Sequence, residues 1–211
     1  MLTVNGDRDA VERQLGSGAL ACPLCGGILG GGGNAVRRRV RQLGEEGRQA
    51  GGEGGLASGE WVAPRRSRCR GCGATHVLLP VECLLRRADA AGVIGRALEM
   101  NAAGAGHRKV AGELGRPAPT VRGWLRRFAA RAGAVRVFFT LLLARTSPDP
   151  VMPAGAASPV AAAVSAIAGA AAAVAARWPA VGQVLAWTAA SAASGGRLLA
   201  PGWPGPGRNA S

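Results

Sequence analysis

The chain has 211 residues, with 26 Lys and Arg against 12 Asp and Glu and a formal net charge of +14. That length allows one or two small domains with real cores, two being the expectation, and that charge attracts polyanions, nucleic acid before an anionic membrane surface. Five cysteines, an odd number, and an opening stretch with no charged-then-apolar segment weigh against a disulfide-framed secreted scaffold and predict a reducing cytoplasm.

Lys109 is the only lysine, and Ala, Gly, Arg and Pro abound, as a GC-rich coding sequence produces without selection for binding. The placement of the arginines therefore says more than their number. They cluster at Arg37, Arg38, Arg39 and Arg41, at Arg65, Arg66, Arg68 and Arg70, and across Arg108 to Arg131, whereas Arg177, Arg197 and Arg208 are the only ones after Pro148.

Residues 1–19 show little apolar periodicity and are expected to be flexible. "CPLCGG" at Cys22–Gly27 and "RCRGCGATH" at Arg68–His76 each carry a CxxC pair. A CxxC knuckle turns two thiolates to one side, and two knuckles suit a tetrahedral ion with Zn–S of about 2.3 Å. Cys22, Cys25, Cys69 and Cys72 are the expected Zn²⁺ ligands. The usual separation of such pairs is roughly 15 to 20 residues, and here residues 26–68 intervene. A Gly-rich insertion, 44–59, accounts for the excess, because each doubling of loop length costs only about 0.6 kcal/mol. Unpaired thiols or a redox CxxC are the alternatives, and the βαβ context of a thioredoxin-like site is absent.

"GGILGGGGN" lacks the Lys-Ser/Thr ending of a phosphate-binding loop and reads as loop. "NAVRRRVRQL", "EWVAPRRSRC" and "THVLLP" are strand candidates, so knuckle, strand, hairpin, strand, knuckle, strand follow in the order of a zinc ribbon over 20–82. Cys83 reads as a buried apolar thiol, and His76 and His107 as structural or exposed rather than ligating.

Helical periodicity follows over 83–132. Val93, Ile94, Ala97 and Leu98 share one face, Val110, Ala111 and Leu114 another, and after "GRPAP" breaks the run Val121, Trp124, Leu125 and Phe128 form a stripe. "HRKVAGELGRPAPTVRGWLRRF" has the small Ala111, the turn Gly115 and the apolar second-helix set of a helix-turn-helix. Its outward residues Thr120 and Arg122 are placed to meet base edges, while Lys109, Arg116, Arg126 and Arg127 are expected at phosphates. The plainer alternative is a three-helix unit with a solvated basic face.

The segment 133–211 is expected to be Ala-rich and helical, with a Pro-rich linker at 146–159. Val160–Ala176 falls short of the roughly 20 apolar residues of a span and is mostly alanine, so a packed helix is expected there rather than a membrane span.

Taken together, "CPLCGG", "RCRGCGATHVLLP" and "AGELGRPAPTVRGWLRRF" resemble bacterial zinc-ribbon plus helix-turn-helix proteins, similar to the DNA-binding N-terminal part of insertion-sequence transposases and to a family of this layout in GC-rich bacteria. The resemblance spans about residues 20–132 and implies zinc on the four cysteines and double-stranded DNA on the second helix. Such transposases cut DNA with three acidic residues, yet after Glu113 the only carboxylate is Asp149. The expectation is thus an α+β chain, a small Cys₄ ribbon of short antiparallel strands, then a trihelical helix-turn-helix and an Ala-rich helical region. It would act without catalysis in the cytoplasm, associated with the nucleoid, as a regulator or a transposition accessory, with a homodimer on two half-sites as the expected pairing and no small-molecule substrate. A zinc-bearing module for protein or RNA is the other reading.

Overall fold

The computed structural model describes residues 1–42, 59–151, 155–179 and 184–205. Strands β1 (Leu2–Val4), β2 (Leu29–Asn34), β5 (Arg65–Cys69) and β6 (Thr75–Pro80) form one sheet in the order β1-β6-β5-β2, and β3 (Arg38–Arg41) with β4 (Gly59–Val62) form a separate two-stranded ladder. β2, β5 and β6 are mutually antiparallel neighbours, while β1 runs parallel to β6. The β3–β4 ladder is the base of the expected insertion, whose residues 44–58 lie outside those described.

Leu29 stands opposite Cys69 and Ser67 opposite His76, so these four side chains share one face of the sheet, and all are buried. Helix α1 (Arg8–Gly16) closes that face with Val11 and Leu15, which join Val4, Leu29 and Leu78 in a small core. The Asp7 carboxylate accepts a hydrogen bond from the Asp9 amide at 2.9 Å and caps the helix.

Two expectations are corrected here. Residues 1–19, expected to be flexible, contribute a sheet strand and the helix that buries the inner face of the sheet. The "GGILGGGGN" stretch, read as loop, forms β2. A strand of bare glycines is held by its ladder to β5 and by close approach, since a Cβ at Gly32 would lie 3.3 Å from the Arg66 carbonyl oxygen. "EWVAPRRSRC" divides into β4 and β5 around Pro64, which has no amide to donate.

The helices are α2 (Ala91–Ala102), α3 (His107–Glu113), α4 (Ala118–Ala129), α5 (Ala132–Thr146), α6 (Pro159–Arg177) and α7 (Ala186–Ser194). One apolar core runs through all six and takes in Val40 and Leu79 from the strands. The apolar faces read from periodicity on α2, α3 and α4 are buried in it. Phe128, Phe139 and Ile167, each at most 1% exposed, anchor it, and full burial of such a side chain is worth about 1.5–3 kcal/mol.

Helix α6 is long and apolar enough to cross a membrane by length and composition. In the fold its buried stripe of Ala163, Ala166, Ala170 and Ala173 admits α5, α2 and α7 at close range. Buried residues of α5, α6 and α7 thus belong to the same core cluster as those of α2–α4. Gly95 on α2 lies under the Trp187 ring of α7, where a Cβ could not fit, and Trp187 Nε1 donates to Glu99 Oε1 at 2.7 Å.

Candidate functional site

Both CxxC segments fold into the same turn. At the first, the Gly26 amide donates to the Cys22 carbonyl at 2.8 Å and the Cys22 amide to the Gly27 carbonyl at 2.7 Å. At the second, Gly73 donates to Cys69 at 3.0 Å and Cys69 to Ala74 at 2.9 Å. Gly26 (φ 72°) and Gly73 (φ 73°) occupy the left-handed conformation that lets each turn close without a Cβ penalty. The first turn caps the approach of Ala21 to Ile28, the second the β5–β6 hairpin, and the Leu29–Cys69 pairing brings the two tips together.

The four Sγ atoms lie within 4.8 Å of one another. Cys22 and Cys72 are 3.8 Å apart and Cys25 and Cys69 3.5 Å. A tetrahedral ion at about 2.3 Å from each sulfur requires separations of about 3.8 Å, so the four sulfurs fit a metal ion. A Cβ on Gly27 would sit 3.2 Å from Cys69 Sγ, which explains the second glycine of "CGG".

Surrounding groups tune the thiols in opposite directions. The Cys72 amide, donating to Cys69 Sγ at 3.4 Å, leads the contacts that lower the Cys69 thiol to about 6. At Cys25 the Gly27 amide also lowers the thiol, but hydrogen bonds with Cys69 and Cys72, together with burial, outweigh it and raise Cys25 to about 11. The two sulfurs lie 3.5 Å apart and share hydrogen bonds, so they titrate as a pair, and a cation among them would favour deprotonation of both.

His76, treated as structural or exposed from the sequence, is buried beside the sulfurs with Nε2 3.3 Å from Cys22 Sγ. Its Nδ1 lies 3.3 Å from the Met1 amine. An ammonium can only donate, so Nδ1 accepts and the ring proton on Nε2 points at Cys22. Burial first, and then the terminal positive charge, push this imidazole below its usual value, which keeps it neutral. His76 is thereby a neutral donor to a ligand sulfur, the kind of outer contact that orients metal ligands. The period-two pattern of "THVLLP", with His76 and Leu78 inward, was the signal for it. Cys83 lies outside this group and is buried, as expected, and burial raises its thiol above the usual value.

Helices α3 and α4 are joined by the turn Leu114–Pro117, closed by the Arg116 amide on the Ala111 carbonyl at 3.0 Å. Val121, Trp124, Leu125 and Phe128 fill the inward side of α4, leaving Arg122, Arg126 and Arg127 exposed outward and Thr120 half-buried near its start. Lys109 is exposed on α3.

Arg116 is a correction. Expected at a phosphate, its side chain is 3% exposed and its Nε donates to Asp89 at 2.6 Å. Its remaining donors reach the Leu114 carbonyl at 3.0 Å and the Gln42 carbonyl at 2.9 Å. With its side chain buried and four of its five N–H donors bonded inside the fold, this guanidinium is not presented to a phosphate. Asp89, which drew no attention in the sequence, also receives Arg41 in bidentate fashion, at 3.0 and 2.6 Å. No protein-family model, curated protein or solved structure matches this chain.

Proposed function

We propose that this chain is a non-enzymatic DNA-binding protein in which a Cys₄ zinc ribbon, residues 20–82, and a helix-turn-helix built from α3 and α4 are held on one scaffold, serving as a regulator or a transposition accessory. Cys22, Cys25, Cys69 and Cys72 would hold the ion, and four thiolates in a closed set suit zinc in a structural role. When bound, the ion neutralises the thiolates and ties the two turns together; His76 supports Cys22 from outside.

The observation that carries the DNA reading is the division of α4 into a fully buried apolar stripe and an outward side holding Arg122, Arg126 and Arg127. Among the described residues none of these three arginines has a carboxylate partner. On this reading Thr120 and Arg122, nearest the start of the helix, would meet base edges, and Lys109, Arg126 and Arg127 would meet phosphates. A short turn and a second helix with an outward cationic side is the geometry by which such a pair lays one helix in a major groove.

Fluorescence anisotropy of the full zinc-loaded chain with a labelled duplex, at two salt concentrations, tests this. Affinity should fall with salt by about 0.9 logarithmic units per neutralised phosphate for each tenfold rise. An affinity indifferent to salt, or one left intact in an Arg122→Ala, Arg126→Ala, Arg127→Ala variant, overturns it.

A further inference from the structure

The face of the sheet turned away from α1 has a composition that α4 does not explain. Arg66 and Arg68 alternate with the buried Ser67 and Cys69, so both point outward from β5, and Arg70 continues the same alternation one residue past the strand; all three are exposed. Strand period puts successive arginines about 6.8 Å apart along one line. On the β2 side this line borders Gly30–Gly33, which offer no side chain, and on the β6 side Thr75 stands opposite Arg68 and Val77 opposite Arg66.

The result is a shallow concavity of about 480 Å³ lined by Arg68, Cys69, Arg70 and the glycines 30, 31, 71 and 73. Arg68 is braced across it by its Nε on the Gly73 carbonyl at 3.2 Å, and Arg70 crosses the β2 edge, where a Cβ on Gly30 would lie 3.3 Å from its Nε. Among the described residues no carboxylate pairs with Arg66, Arg68 or Arg70, whereas neighbouring Arg65 is taken by Glu12.

We propose that this arginine line beside the glycine strand is a second nucleic-acid surface that takes the phosphate backbone of duplex DNA, separate from the outward side of α4 and resting on the DNA-binding reading given above. The bare strand lets a phosphate backbone come close to the sheet, as bulky side chains would not. Leu29–Asn34, Arg65–Arg70 and Thr75–Pro80 contain no Phe, Trp or Tyr, and the one imidazole among them, His76, is buried on the opposite face. Single-strand binding uses aromatic platforms on which bases stack, whereas a duplex backbone asks only for spaced cations. The surface therefore positions DNA and adds affinity without reading sequence.

The competing physical role for these arginines is local: four thiolates around a divalent ion leave negative charge that Arg68 and Arg70 would offset. The test separates the two. Full-length zinc-loaded protein is compared with a triple variant (Arg66→Ala, Arg68→Ala, Arg70→Ala), its triple lysine counterpart, Thr75→Glu, and the α4 triple variant, reading duplex affinity against salt and zinc content for each. The alanine variant should lower the slope of log affinity against log salt by about 3, equally for unrelated sequences, and the lysine variant should keep it. Thr75→Glu, which leaves every arginine in place and puts a carboxylate opposite Arg68, should weaken binding even if the alanine variant folds poorly.

Unchanged slopes in the alanine and Thr75→Glu variants while the α4 variant loses binding would overturn this surface and leave the α4 reading intact. A sheet variant that weakens binding while the α4 variant does not would do the reverse. Loss of zinc without change in slope would make the arginines counter-ions of the thiolates and overturn the proposal, as would an effect confined to single-stranded DNA. No duplex binding by the parent protein would overturn both.

Discussion

Arg116 places its Nε 2.6 Å from Asp89 Oδ1 with both side chains 3% exposed, and the same carboxylate accepts from the more exposed Arg41 of β3, so the turn between α3 and α4 is one arm of an Arg116–Asp89–Arg41 triad. The carboxylate thus joins the strand ladder, the start of α2 and the α3–α4 turn.

Removing that carboxylate leaves Arg116 charged, buried and without its counter-ion. Asp89→Asn should therefore cost about 3–5 kcal/mol in denaturant unfolding, the range for breaking one side of a buried pair. Arg116→Ala, which leaves Asp89 the more exposed Arg41, should cost less. Equal losses in the two variants would contradict this ordering.

The metal site gives a separate expectation. Purified protein should carry one zinc ion per chain by elemental analysis, and Cys22→Ser or Cys72→Ser should abolish it. Structural zinc is worth about 10–16 kcal/mol at neutral pH in small modules. Chelation should accordingly unfold the small core around Leu29 and Leu78 while the helical core keeps its far-UV signal. Retention of zinc by either variant would show that fewer than four sulfurs suffice.

At Gly95 the sign of the effect is decided by packing. In an exposed helix interior Gly→Ala stabilises by about 1 kcal/mol. Here the new methyl meets the Trp187 ring, so Gly95→Ala should destabilise by about 1–3 kcal/mol, the range for overpacking. It should also shift tryptophan fluorescence as the Trp187 bond to Glu99 breaks. A more stable variant would mean that α7 does not sit on α2.

Cys83 should resist iodoacetamide at pH 8 in the zinc-loaded protein and react only on unfolding. It is 2% exposed, and burial, opposed by Arg38, keeps its thiol protonated above the usual value of 9.0. Mass spectrometry of the native, alkylated chain checks this; labelling at Cys83 before unfolding would contradict it.

What was legible in the sequence was what short spacing dictates. A CxxC pair forms its turn from six adjacent residues, and the faces of α2, α3 and α4 follow from apolar residues recurring every three or four positions. What was not legible depends on distant partners. Gly30–Gly33 have no strand propensity and become a strand only because β5 pairs with them. Helix α1 offers only Val11 and Leu15 as large inward residues, too few to stand out, and gains its place from the sheet it covers. Arg116 looked like its exposed neighbours because nothing local announces that Asp89 lies beneath it. Helix α5 extends over Ala132–Thr146, fifteen residues, because the core buries Ala132 and Thr146 at its two ends, which no local pattern in the sequence marks.

The end of α7 ties back to β1 and to the connection between β6 and α2: Leu85 donates to the Gly196 carbonyl at 2.7 Å, Ser191 to the Cys83 carbonyl at 2.9 Å and Thr3 to the Ala192 carbonyl at 3.2 Å. A truncation after α4 would strip these ties and open Phe128, Ile94 and Leu79 to water. A fragment holding α3 and α4 without the alanine helices behind them should therefore expose much of the core they share and fold poorly.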